Sequence, residues 1–203
     1  WIRSLFQRGG LGTPEKNPTE YVGGKNRKLL CPPNPYWMES SEITIGEALQ
    51  KNKYFDEILK RSGVTEVLRD LLGDNATLLT SKLNTKAPGG GMAVEWHQDW
   101  AFYPHTNDDL ITVGIYLDDC FEKNVPLKII KSSHKKKLYN HHNKENFLIG
   151  KIDLKKNKIG INKSVSITGT AGTVVFFHCR SVHGSGHNHM DSSRPLILFG
   201  YRA

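Results

Sequence analysis

The spacing of apolar positions changes near residue 77, and the change divides the chain into two kinds of element. Ahead of it, Val64, Val67, Leu68, Leu71 and Leu72 recur every three or four residues, which predicts an amphipathic helix over Val64–Leu72. Gly73 suits the position just past a helix end and marks its stop. A second helix is predicted over 43–61 from Ile45, Ala48, Leu49, Phe55, Ile58 and Leu59, around a polar stretch at 50–53. Residues 1–42, broken by Gly9-Gly10, Gly23-Gly24 and Cys31-Pro32-Pro33, predict extended or looping segments that wrap the core. Past a turn at 73–75 the period becomes two. Strands are predicted over Thr77–Lys86, 93–97, 110–118, Leu127–Ile130, 164–168, 173–178 and 195–201, each bounded by Gly, Pro, Asn or Asp. Many short strands punctuated in this way indicate a mainly β sandwich or barrel, with the N-terminal helices buttressing one face. Pro88-Gly89-Gly90-Gly91, ahead of the second strand, reads as a flexible hairpin.

At 203 residues and 37% hydrophobic the chain can bury one substantial core, so a single domain over 1–203 is expected. Within it, 1–76 is the wrapping segment with its helices, and 77–203 is the β core carrying a lysine-rich insert at 131–163. Beginning with Trp1 and ending at Ala203 straight after a strand-like run, the sequence reads as the ordered part of a longer protein. No run approaches the roughly 20 apolar residues of a membrane-spanning helix, and the first ten residues lack the apolar centre of a signal peptide. A soluble, cytoplasmic protein without a membrane partner is expected. Cys31, Cys120 and Cys179 are odd in number and widely spaced, which suits buried free thiols better than disulfides or a zinc cluster.

The formal net charge of +8 is local in origin. Residues 123–163 hold twelve lysines against Glu145 and Asp153, a local +10, which leaves the rest of the chain at −2. A solvated insert accounts for this, as does an electropositive rim that draws in an anionic substrate such as a phosphate-bearing thioester. The cations are lysines without interleaved aromatic residues, which argues against a nucleic-acid groove. His141, His142, His187 and His189 read as surface imidazoles.

The candidate chemistry lies in two stretches. In Trp96-His97-Gln98-Asp99 an imidazole and a carboxylate stand at i and i+2, and on a strand that spacing turns both to one face. His183, at the end of the apolar run 173–177, can supply a third ligand. Two histidines and one carboxylate form the facial set that suits non-haem Fe(II) and leaves adjacent positions open. Arg194 follows eleven residues after His183, and its planar fork would pair bidentately with a carboxylate. Ser185 shares a face with His183 if the strand continues. Cys179, four residues before His183, lies where it could approach the metal, and Trp96, Trp100, Phe102, Tyr103 and His105 crowd the same region, mostly as packing with one or two lining a substrate channel.

At these residues the sequence resembles the phytanoyl-CoA dioxygenase family of Fe(II)/2-oxoglutarate oxygenases, whose members carry His-x-Asp, a distal His and an Arg about a dozen residues on. The likeness also covers 81–88, 96–119, 126–134 and 172–201, in order. It implies a double-stranded β-helix, the cupin-like jelly-roll whose open mouth carries the metal. It further implies Fe(II) on His97, Asp99 and His183, 2-oxoglutarate as co-substrate with Arg194 on its far carboxylate, and O₂ as the second co-substrate. Lys82 lies where members place a residue that contacts 2-oxoglutarate, and Lys86, on the same face, could share that role. Succinate and CO₂ would be released as a small organic substrate is hydroxylated. The carboxylate at Asp99 fits hydroxylation, since halogenating relatives replace it with a small residue. Members usually continue beyond both ends of this sequence. Lys131-Ser132-Ser133-His134 departs from the common Pro-Gly-Ser-His, which puts the local turn in doubt. Two other classes remain open: a cupin-type enzyme whose metal serves a non-oxidative reaction, recognised by needing neither 2-oxoglutarate nor O₂, and a non-catalytic binding protein, recognised by a lost ligand or a lost Arg.

Overall fold

The computed structural model describes residues 57–60, 62–103 and 105–203; the expectations for 1–42, for Cys31 and for most of the 43–61 helix lie outside them. Residues 57–60 are helical, and helix α1, Val64–Leu72, has the predicted bounds, with the Gly73 amide closing it on the Arg69 carbonyl. Eight strands follow: β1 Thr77–Lys86, β2 Val94–His97, β3 Leu110–Tyr116, β4 Leu127–Ile130, β5 Ser164–Ile167, β6 Val174–His178, β7 His183–Ser185 and β8 Arg194–Arg202. They form two four-stranded sheets, ordered β1-β8-β3-β6 and β2-β7-β4-β5, with every pairing antiparallel. Along the chain the strands alternate between the sheets except at β4 and β5, which pair with each other in the second, and the result is the jelly-roll or double-stranded β-helix expected from the family likeness.

The register assigns faces, because residues directly opposite across strands point the same way. On the outer face of the first sheet, Leu83, Val113, Ile115, Ile197 and Phe199 pack under Val64 and Leu68 of α1, so the helix buttresses this face as its apolar stripe demands. The inner face carries Tyr116, Phe177, Leu196 and Leu198, which meet Leu127 of the second sheet. Tyr116 is fully buried and pins the sheets together: its hydroxyl donates to the Ile167 carbonyl (2.7 Å) and accepts from the Leu127 amide (3.2 Å).

Three expectations change. His183 does not end the 173–178 strand; the chain turns at 179–182 and His183 opens β7 in the opposite sheet. The segment 88–91 is no hairpin, since β1 and β2 belong to different sheets, and it is tied down by Gly89 to the Met190 carbonyl and Gly90 to the Asn188 carbonyl. The lysine-rich segment exposes every lysine but the half-buried Lys128, yet its backbone is fastened, with Ile152 buried and its amide on the Trp96 carbonyl. The turn at 131–134 also survives its departure from the family pattern, because Ser132 itself adopts the left-handed conformation at φ 59°.

Candidate metal centre

β2 and β7 pair so that His97 stands opposite His183, which brings imidazoles 86 residues apart in sequence to a ring separation of 4.2 Å. Asp99 does not lie on a strand as its spacing suggested. β2 ends at His97, Gln98 stays extended, and Asp99 opens a 3-10 turn, Asp99–Ala101. The single extended residue between them preserves the common direction that the i, i+2 argument required. Asp99 Oδ1 lies 3.4 Å from His97 Nε2 and 3.6 Å from His183 Nε2, all three residues are buried, and their ligand atoms fall within 4.8 Å of one another.

The hydrogen bonds fix which atoms face inward. His97 Nδ1 meets the Glu95 carbonyl at 2.7 Å and His183 Nδ1 meets the Ser181 carbonyl at 2.9 Å. A carbonyl only accepts, so both rings carry hydrogen on Nδ1 and, when neutral, turn a lone pair on Nε2 towards Asp99. Thr112 Oγ1 donates to Asp99 Oδ2 (2.7 Å) and leaves Oδ1 for the centre. Two lone pairs and a carboxylate oxygen thus converge in a dry site, an arrangement that calls for a cation, and the outer bonds that orient each ligand are of the kind metal sites use.

Electrostatics agree. Burial, reinforced by His97, draws His183 down to about 4, so this ring is neutral at pH 7. Burial pushes the Asp99 carboxyl up, but the charge of His183, the hydrogen bond to His97 and the Lys82 ammonium together hold it well below the ordinary carboxylate range. Lys82, on the same cleft as Asp99, is one of the charges that act on that carboxyl.

A cleft of about 370 Å³, open at its mouth, is lined by Lys82, Asp99, Tyr103, Thr112, Cys179 and Leu198 among others. Phe102 stands edge-on to His97 at 5.4 Å. Cys179 lines the cleft without joining the cluster of ligand atoms; burial raises its thiol to about 12, and it donates to the Asp108 carbonyl. Arg194 is buried at the start of β8, close enough for its charge to act on Tyr116 and Cys120. Ser185 is buried on β7, two residues past His183, as the shared-face argument expected. Lys86 is fully buried, paired in register with Arg194, and its ammonium donates to the carbonyls of Met92 and Gly186. Its described bonds are therefore to backbone, and Lys82, on the cleft, is the lysine nearer the centre.

Sequence reasoning missed Thr112, Gln98 and His141. His141 is not a surface imidazole but 2% exposed, and its Nε2 accepts the Gln98 amide at 3.0 Å. His142, His187 and His189 are exposed, as read from the sequence.

Comparisons with known proteins agree with this geometry. A family model described as phytanoyl-CoA dioxygenase (PhyH) matches residues 33–196. A probable alpha-ketoglutarate-dependent hypophosphite dioxygenase of Stutzerimonas stutzeri is 42% identical over 156 residues, 74% of this chain and 54% of the relative. An L-proline trans-4-hydroxylase of Streptomyces griseoviridis is 27% identical over 170 residues, covering 72% of this chain and 63% of its own length. Among solved structures, EctD from S. alaskensis with 2-oxoglutarate and 5-hydroxyectoine superposes with a TM-score of 0.65 at 25% identity, over 79% of this chain and 56% of that one. The chain spans about half to two thirds of the length of the curated relatives it matches.

Proposed function

The chain belongs to the phytanoyl-CoA dioxygenase family, and on that footing we propose that it is an Fe(II)- and 2-oxoglutarate-dependent dioxygenase that hydroxylates a small molecule. The observation that carries this reading is the convergence of His97 Nε2, His183 Nε2 and Asp99 Oδ1 in a buried site, their ligand atoms within 4.8 Å of one another. His97, Asp99 and His183 would hold the metal on one side and leave adjacent positions open. Fe(II) bound there supplies O₂ activation coupled to decarboxylation of 2-oxoglutarate to succinate and CO₂. The chain's own contribution is placement. Thr112 fixes the unused oxygen of Asp99, and the Glu95 and Ser181 carbonyls fix the two rings. Arg194 takes the far carboxylate of 2-oxoglutarate in a dry interior, where an unpaired charge is expensive, with Ser185 and Lys82 assisting.

The substrate is a small anion or zwitterion. Lys82 puts a cation on the wall of the cleft that Asp99 also lines. The 42% identical relative is named for hypophosphite, a small anion. Free buried thiols at Cys120 and Cys179 fit a reducing, cytoplasmic setting, and among the described residues no helix is long and apolar enough to cross a membrane.

The test is metal analysis and succinate release with His97→Ala, Asp99→Ala and His183→Ala, run over hypophosphite, L-proline, ectoine and an acyl-CoA thioester at two salt concentrations. Loss of iron and of succinate in each variant is expected, with turnover of the small substrates. Full iron occupancy with normal activity in any variant would overturn the assignment. Arg194→Ala should raise the KM for 2-oxoglutarate a hundredfold or more, the equivalent of about 3 to 5 kcal/mol for breaking a buried charge pair.

A further inference from the structure

We infer that Gln98 is a positioning residue for the metal ligands and the point through which the lysine-rich segment acts on the site. Resting on the metal-site reading above, the inference starts from a residue that points away from the metal and is nonetheless completely buried. Its side-chain amide donates to the Arg180 carbonyl at 2.7 Å and to the Lys137 carbonyl at 3.3 Å, and its Oε1 accepts the Tyr139 amide at 2.9 Å. Its own backbone amide donates to His141 Nε2 at 3.0 Å.

These bonds join three separate stretches of chain. Arg180 precedes Ser181, whose carbonyl orients the His183 ring, so the bond to Arg180 spans from the turn bearing His97 and Asp99 to the turn that delivers His183. The Trp100 amide on the Cys179 carbonyl (3.1 Å) is a second strut between the same two turns. The remaining three Gln98 bonds reach Lys137, Tyr139 and His141, so the lysine-rich segment is a third wall of the clamp. His141 suits its place because its Nδ1 hydrogen goes to the Tyr139 carbonyl (2.9 Å), which leaves Nε2 as the acceptor that the Gln98 amide needs. β2 and β7 share only two register pairs, so side-chain bonds rather than ladder bonds set the spacing of the ligand turns. The lysines' charge is solvated; the segment's contribution to the site comes from its backbone and from His141.

The experiment titrates the metal-free protein with Co(II) or Mn(II) by calorimetry, without turnover, alongside its thermal unfolding. Gln98→Met keeps length and volume but removes the three side-chain bonds, and metal affinity should fall tenfold or more, the usual effect of losing a group that orients ligands. His141→Leu, which frees the Gln98 amide, should lose part of this, and His141→Gln, whose side-chain oxygen can stand in for Nε2, should recover it. Asn188→Leu is the control, a second fully buried amide donating to the Ala87 and Ser192 carbonyls; it should lower the melting temperature comparably and leave affinity within about twofold. In the iron-loaded protein, Gln98→Met should also consume more 2-oxoglutarate per product formed. Wild-type affinity in Gln98→Met overturns the inference, as does an equal loss in Asn188→Leu; if Gln98→Met does not fold, unchanged affinity in His141→Leu does so. A wild-type protein that takes up no metal sinks the metal-site reading itself, and this inference with it.

Discussion

The two sheets enclose one interior but are held in different ways. β1 and β8 share nine register pairs and β8 and β3 seven, with an apolar face pressed against α1. β2 and β7, which carry the two imidazoles, share two pairs, and their order comes from side chains: Gln98 across to Arg180, Ser133 Oγ accepting the Val182 amide at 2.8 Å, and Lys86 to Met92 and Gly186. The first sheet is a scaffold whose stability comes from burial and ladder bonds. The second is a site whose geometry comes from specific polar contacts that contribute modestly to stability, each on the order of 1 kcal/mol. Stability and metal binding should therefore respond to different residues.

The largest effect expected is on the scaffold. Phe199 is 1% exposed within the outer cluster, and Phe199→Ala should cost about 3 to 5 kcal/mol through lost burial and the cavity left behind. Metal affinity of the molecules that remain folded should be unchanged. Denaturant unfolding with parallel metal titration checks both, and a matching loss of affinity would show that the two sheets are not separable.

A glycine in each sheet gives a sharper contrast. A Cβ on Gly114 would lie 2.9 Å from Val175 Cγ1 and 3.3 Å from Leu198 Cδ2, so Gly114→Ala overpacks the interior and should cost about 1 to 3 kcal/mol with affinity retained. A Cβ on Gly184 would lie 2.8 Å from the Val94 carbonyl oxygen, which is backbone and cannot swing aside. Gly184→Ala should push β2 from β7 and widen the His97 to His183 approach, lowering metal affinity tenfold or more, about 1.4 kcal/mol, for a similar loss of stability. Equal affinities in the two variants would count against the division.

How much of this was visible in the sequence follows the same line. The scaffold was legible because its bonds follow period: β1, β4 and α1 have their predicted bounds, and β2, β3, β5, β6 and β8 begin or end within a few residues of theirs, whereas the three-residue β7 is too short to show a period and was not predicted. The ligands were legible because His97, Asp99, His183 and Arg194 have distinctive chemistry at distinctive spacing. What escaped was tertiary and polar. Asp99 left the strand at a 3-10 turn that no alternation announces, and His183 crossed to the other sheet after a four-residue turn. His141 looks like any histidine in a polar run until a backbone amide 43 residues earlier in the chain is known to face it. Thr112 sits in an otherwise apolar strand, and a hydroxyl there was a signal that could have been read as a partner for Asp99.

The pH response should separate the regions by slope. His141 and His183 are both held near 4 by burial, below the ordinary histidine value of 6.5. Between those values the unfolded chain binds more protons, so their contribution is complete above about pH 6.5 and is lost as pH falls towards 4. Melting temperatures of the metal-free protein should decline over that window. Phe199→Ala should displace the curve without changing its slope, and His141→Asn should flatten it. Parallel curves for all three proteins would mean that the depressed histidines do not govern acid stability.

The smallest effect is expected at the turn that leads out of β4, where Ser132 holds φ 59° and ψ 12°. A residue with a Cβ pays roughly 1 kcal/mol to occupy the left-handed region, whereas glycine does so freely, and glycine is what the family pattern commonly has there. The turn persists because its neighbours hold it: Ser133 Oγ donates to the Ile130 carbonyl at 2.7 Å while accepting the Val182 amide, and the Lys135 amide closes on the Ser132 carbonyl. Relief of strain is partly offset by the greater freedom glycine gives the unfolded chain, so Ser132→Gly should stabilise by about 0.5 kcal/mol. Because none of the contacts that place His183 uses the Ser132 side chain, metal affinity should stay at the wild-type value. A gain in affinity alongside the gain in stability would mean that strain stored in this turn reaches the ligands through Val182, and that the site sheet is governed by its loops more than by Gln98.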